Sequence, residues 1–128
     1  MAKGQIMDAK LKAQWVEALR SGKYKQGQAS LRRGDSYCCL GVLADISKLG
    51  AFIEEAKYPG QFKFTLQDGE SAHGVLPDSM LKMIRLPLAA HEQCWKLNDK
   101  EGQSFAEIAD YIEANIPAEE HSVAEDRS

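Results

Sequence analysis

Residues 38–49, CCLGVLADISKL, are the stretch that most constrains what this chain can become. Cys39, Leu40, Val42, Leu43, Ile46 and Leu49 recur at helical spacing but spread over more than one face. A helix that is apolar nearly all round is stable in water only when other elements cover it. The spacing therefore predicts a buried helix over about 38–49, ended by Gly50, with the rest of the chain packed around it. Upstream, residues 29–32 and 36–38 read as two short strands around a turn at Arg33-Gly34-Asp35. Arg33-Gly34-Asp35-Ser36 also spells a cell-adhesion tetrapeptide; in this setting it reads as the turn.

The remaining elements follow from periodicity and punctuation. Asp8 caps a helix running to about Ser21, with Leu11, Trp15, Ala18 and Leu19 on one stripe and Gly22 at its end. Residues 23–28, KYKQGQ, read as a basic loop, and residues 51–60 as a second loop closed by Pro59-Gly60. Phe62, Phe64 and Leu66 alternate with polar residues, the period of a half-buried strand. Asp68-Gly69 then turns the chain into a return strand over about 71–76. Pro77-Asp78 opens a short helix to Ile84, which Pro87 closes, and a further short helix ends near Asn98. Ser104 and Glu107 form a capping box for a last helix to about Asn115. From Pro117 the chain is acidic and poor in bulky residues, the composition of a disordered tail. The expected fold is α+β: one domain over 1–116 with about four helices and a small antiparallel sheet, then a tail over 117–128.

A chain of 128 residues suits one hydrophobic core. No apolar run approaches the roughly 20 residues a membrane span needs. Residues 1–7 lack the apolar core of a secretory signal, so a cytoplasmic setting is expected. Cys38, Cys39 and Cys94 are odd in number and two are adjacent, which fits reduced thiols rather than a disulfide framework. Charge is uneven. Residues 1–34 carry eight Lys or Arg against two Asp or Glu, a balance of +6, and residues 35–128 carry −9. Either a basic face meets an anion, or the two parts attract each other across the fold.

Three groups of residues could carry chemistry. Cys38 or Cys39, at a helix N-terminus, could be a nucleophile with His73 as base; His91 is a second candidate base and His121 a remote one. The competing reading is that both thiols are small core residues. Cys38, Cys39, His91 and Cys94 lack the spacing of a zinc site, and neither a metal nor a cofactor is expected. Lys23, Tyr24, Lys25, Gln26, Arg32 and Arg33 form the candidate ligand-binding segment. Lys and Arg supply charge, glycines let backbone amides approach an anion, and Tyr24 can stack. The phosphate-binding G-x-x-x-x-G-K-[ST] motif does not occur. Residues 97–111 look like the opening of a helix-turn-helix, but no recognition helix follows, so Asn98 and Asp99 read as bracing the turn.

Two stretches, QWVEALRSGKYKQGQASLRRGDSYCCLGVLADI over 14–46 and LNDKEGQSFAEIADYIE over 97–113, resemble a group of small phage and prophage proteins without a settled function. The middle, 47–96, lies outside the resemblance and is the natural place for variation. The resemblance implies an accessory factor acting on host machinery or defence, and it assigns no residue a role. The expected function is a non-catalytic protein that binds an anionic small molecule, a nucleotide or a host protein. The alternatives are a cysteine-dependent hydrolase or transferase and a nucleic-acid-binding regulator.

Overall fold

A computed structural model describes residues 6–119. In chain order the elements are β1 (Met7–Asp8), α1 (Ala9–Arg20), β2 (Lys25–Gln26), β3 (Arg32–Arg33), β4 (Ser36–Tyr37), α2 (Cys39–Ser47), β5 (Gly50–Glu54) and β6 (Phe62–Leu66). They continue with β7 (Ser71–Ala72), α3 (Asp78–Ile84), α4 (Leu88–Trp95), a π-helical turn (Lys96–Lys100), α5 (Phe105–Asn115) and β8 (Ala118–Glu119). The fold is α+β, with five α-helices and three small sheets among the described residues. No described helix is long and apolar enough to cross a membrane.

α2 is buried as its apolar circumference requires. Cys39, Leu40, Gly41, Val42, Leu43 and Ala44 are all inaccessible to solvent. Around it pack Trp15 and Leu19 of α1, Phe64 and Leu66 of β6, Met80 of α3, Cys94 of α4, and Ile108 and Ile112 of α5. Each large side chain taken from water in this way contributes about 1.5–3 kcal/mol. The Trp15 indole also donates to Cys39 O (2.9 Å), which ties α1 to the first turn of α2.

The capping residues named from sequence act as expected. The Asp8 carboxylate accepts from Leu11 N (3.0 Å), and Ser104 and Glu107 close the capping box of α5. The charge asymmetry is partly internal to the fold. Arg20 binds Asp110 and Glu113 of α5, and Lys12 Nζ donates to the α5 C-terminal carbonyl of Ile116 (2.5 Å). A cation at a helix C-terminus also meets the negative end of the helix dipole.

Several sequence expectations need correction. Residues 51–60 are not all loop, because β5 pairs antiparallel with β6 from Gly50–Leu66 to Glu54–Phe62. Cross-strand packing overrides the weak strand propensity of Ala51 and Glu54. Gly50 does not end α2; Lys48 takes the left-handed position at φ 62°. A Cβ at Gly50 would lie 2.3 Å from Thr65 O, so glycine there permits close strand approach. Pro87 precedes α4 as its N-cap instead of merely closing α3. Lys25 and Gln26 leave the basic loop to form β2, parallel to β4. Finally, the ordered chain continues past residue 116: Ala118 and Glu119 pair with Met7 and Asp8 as β8. The rest of the expected tail, residues 120–128, lies outside the described residues, as does His121.

β3 and β4 form a hairpin around Gly34, with Arg32 opposite Tyr37 and Arg33 opposite Ser36; its first strand lies at Arg32–Arg33 rather than at the expected 29–32. β3 also touches β6 through an Arg33–Gln61 bridge, reinforced by Gly34 N donating to Gly60 O (2.7 Å). The two three-stranded sheets therefore meet at one seam.

Candidate functional site

The two thiols offered as nucleophiles are closed off. Cys38, Cys39 and Cys94 are buried, with at most 1% of each surface exposed. Burial pushes the Cys38 thiol up to about 12, and burial next to Cys94 drives Cys39 well above its ordinary value. The α2 N-terminus does not offset this, because desolvation of a thiolate outweighs a few amide dipoles. His73 is half exposed and its Nε2 pairs with Glu55. Geometry thus leaves the cysteines without the accessible, electropositive setting a nucleophile needs. A small alkylating agent at neutral pH should leave all three thiols unlabelled in the folded protein and label three after denaturation. Rapid native labelling at Cys38 or Cys39, read by intact mass, would reverse this assignment.

His91 is also core. It is 4% exposed, its Nε2 accepts from Leu76 N (3.1 Å), and its Nδ1 has no partner among the described residues. Because Nε2 accepts, the ring is neutral with its proton on Nδ1. Burial lowers its pKa, against weaker opposing effects of Glu92 and Asp78. The unfolded chain takes up a proton near pH ~6.5 where the folded one does not, so stability falls as pH drops below that point and through the folded value. Urea unfolding at about pH 7.5 and about pH 5 should show this loss, and His91→Gln should reduce it. An unchanged slope in that variant would place the acid sensitivity elsewhere.

The six candidate ligand-binding residues do not form one site; strand alternation separates them. In the β2–β4–β3 sheet, Lys25, Ser36 and Arg33 are in register on one face, while Gln26, Tyr37 and Arg32 share the other. Lys25 and Arg33 are exposed, and Lys25 approaches Asp35 at 3.9 Å. Lys23 lines a separate cleft of about 310 Å³ with Glu17 and Ile46. Tyr24 donates to Asp45 Oδ2, and burial together with this bond raises its pKa.

Gln26 is a structural residue. Its Nε2 donates to Asn98 Oδ1 (2.9 Å) and Gln103 O (2.8 Å), and its Oε1 accepts from Phe105 N at the start of α5. Asn98, fully buried in the π-turn, is the hub of this network. Its Oδ1 also accepts from Cys39 N (3.2 Å), supplying the cap that Cys38 does not give α2. Its Nδ2 donates to Gly27 O and Asp99 Oδ1 (2.9 and 2.8 Å). Asp99 Oδ1 in turn accepts from Ala29 N, holding a non-glycine residue at φ 70°. The expected bracing role of Asn98 and Asp99 is thus observed, acting across about 60–70 residues of chain.

Arg32 has a different environment. Its guanidinium carbon lies 3.9 Å from the Phe62 ring centroid, with Tyr37 and Phe52 at 5.5 and 5.8 Å. Tyr24, Tyr37, Phe52 and Phe62 run as an edge-to-face row of half-buried rings. Arg32 Nε donates to Gly34 O (2.8 Å). Among the described residues no hydrogen bond to its terminal nitrogens is found. The row escaped sequence reading because Phe52 sat in an expected loop. The only signal for it was the alternation that placed Phe62.

A cleft of about 980 Å³ between α1 and α5 holds none of the candidate residues. Its floor is Ala9, Ala13, Val16 and Ala114, and its cations Lys12 and Arg20 are already bound to α5.

Residues 7–54 match the family described as Domain of unknown function (DUF8296). No curated protein and no solved structure matches the chain.

Proposed function

We propose that the chain is a non-catalytic binding protein of the phage accessory kind, working in the host cytoplasm. In this reading Arg32, on its aromatic ledge, grips an acidic group of an anionic ligand or host protein. One observation carries it: the Arg32 guanidinium is held in place by Gly34 O and the Phe62 face while its terminal N–H groups stay unpaired among the described residues. A guanidinium positioned in advance loses little freedom when it binds a carboxylate or phosphate through two parallel bonds. The phage context rests on the resemblance of residues 14–46 and 97–113. Those two stretches are hydrogen-bonded to each other through Asn98, Gln26 and Cys39. The nucleophile alternative has lost its accessible thiols.

The test is an NMR titration with two probes, a glutamate-rich peptide and a nucleoside triphosphate. One of them should shift the Arg32, Tyr37 and Phe62 resonances at low salt. Arg32→Lys should weaken that binding about tenfold, because an ammonium cannot make the bidentate contact. The two probes separate a carboxylate partner from a phosphate ligand. If neither probe moves these resonances, or if Arg32→Ala binds as well as the native protein, the reading fails.

A further inference from the structure

Among the described residues β5 is an edge strand, next to β6 on one side only. Glu55 N donates to Gln61 O (2.8 Å), just beyond the Glu54–Phe62 pair. In an antiparallel ladder this makes Glu54–Phe62 a pair whose own backbone groups turn away from each other. By alternation the same holds for Phe52–Phe64 and Gly50–Leu66. The N–H and C=O of Gly50, Phe52 and Glu54 therefore point outward along the free edge. Among the described residues no backbone hydrogen bond to these outward groups is found.

Natural sheets usually protect such an edge with lysine, proline or a bulge. The β5 sequence GAFIE has no lysine or proline, and its ladder to β6 is continuous over five residues. Ile53 is 54% exposed beside it.

We propose that this edge pairs with β5 of a second copy, antiparallel, about a two-fold axis at Phe52. The edge is complementary to itself in that register. Phe52 faces the second copy's Phe52 as a hydrogen-bonded pair, and Gly50 faces the second copy's Glu54, so all three outward residues bond. The single charge of the strand meets a glycine, and no like charges oppose. On the opposite sheet face Ile53 meets the second copy's Ala51, which covers its exposed side chain. The product is a continuous six-stranded sheet, β7-β6-β5 joined to its symmetry copy. A strand pairing of five residues is a small interface, so the dimer is weak and concentration-dependent. This inference is independent of the Arg32 reading.

Sedimentation equilibrium on the full chain should show the mass rising from one protomer toward two over roughly 10 µM to 1 mM. Over the same range the Phe52 and Glu54 amides should slow in hydrogen exchange at least tenfold. Glu54→Pro removes one outward N–H without touching the β6 ladder, and should keep the chain monomeric. Should that variant fail to fold, Ile53→Lys, at an exposed position, should weaken association at least tenfold. A wild type that stays monomeric throughout would overturn the proposal. So would a dimer that survives both substitutions, or one whose Phe52 amide exchanges freely.

Discussion

Replacing Gly41 with alanine should destabilise the protein by at least about 3 kcal/mol and lower its Tm by on the order of 10 °C. The sign is the informative part. Alanine in a helix interior normally stabilises by about 1 kcal/mol relative to glycine. Here a Cβ would lie 1.8 Å from Leu31 O and 2.7 Å from Leu31 C. Both are backbone atoms, so no rotamer change relieves the clash. Leu31 is itself pinned: its N donates to His73 O (2.6 Å), and its O accepts from Cys38 N (3.3 Å). Moving α2 away breaks the second of these bonds and opens the core at Leu40 and Leu43, both fully buried. Chemical denaturation of Gly41→Ala measures the effect directly. A variant as stable as the native protein would mean that α2 does not seat against Leu31.

The second large effect is expected at Asn98. Asn98→Leu keeps similar volume but removes four hydrogen bonds. It strands Cys39 N in the interior and leaves the part-buried Gly27 O without this donor. Each buried group left unpaired costs about 1–3 kcal/mol, so a total of about 3–5 kcal/mol is expected. Asn98→Asp separates the polar network from packing. The carboxylate can still accept from Cys39 N and Gln26 Nε2, but it faces Gly27 O and the Asp99 carboxylate. That repulsion and burial raise its folded pKa. The folded state then binds the proton that the unfolded state releases, so the substitution adds stability as pH falls toward the carboxyl range. His91 acts in the opposite direction. Both proteins keep His91, so unfolding across pH should show the variant losing less stability than the native protein as pH falls, if the hub is as described. Parallel slopes would show that residue 98 contributes only volume.

Helix positions were legible because their signals are local. Asp8, Ser104 and Glu107 act within three residues of themselves, and the apolar spacing of residues 38–49 shows burial without reference to a partner. The Phe62–Leu66 strand was legible for the same reason, through its period of two. β5 was not, since Ala51, Ile53 and Glu54 have no shared preference until β6 lies beside them. The candidate site was half legible. Basic residues at 23–33 were visible as a group, yet a group in sequence is not a group in space. One step along β3 sends Arg32 toward Phe62 and Arg33 toward solvent.

The sequence by itself determined a small α+β domain, a central helix that had to be buried, and thiols better suited to a core than to catalysis. Tertiary structure alone decided that Asn98 caps α2 from a π-turn, that Gly41 is a seat for Leu31, and that Arg32 rests on three rings. The physical reason is range. Capping and periodicity are properties of neighbouring residues, whereas a buried amide's partners and a glycine's clearance depend on which distant backbone arrives beside them.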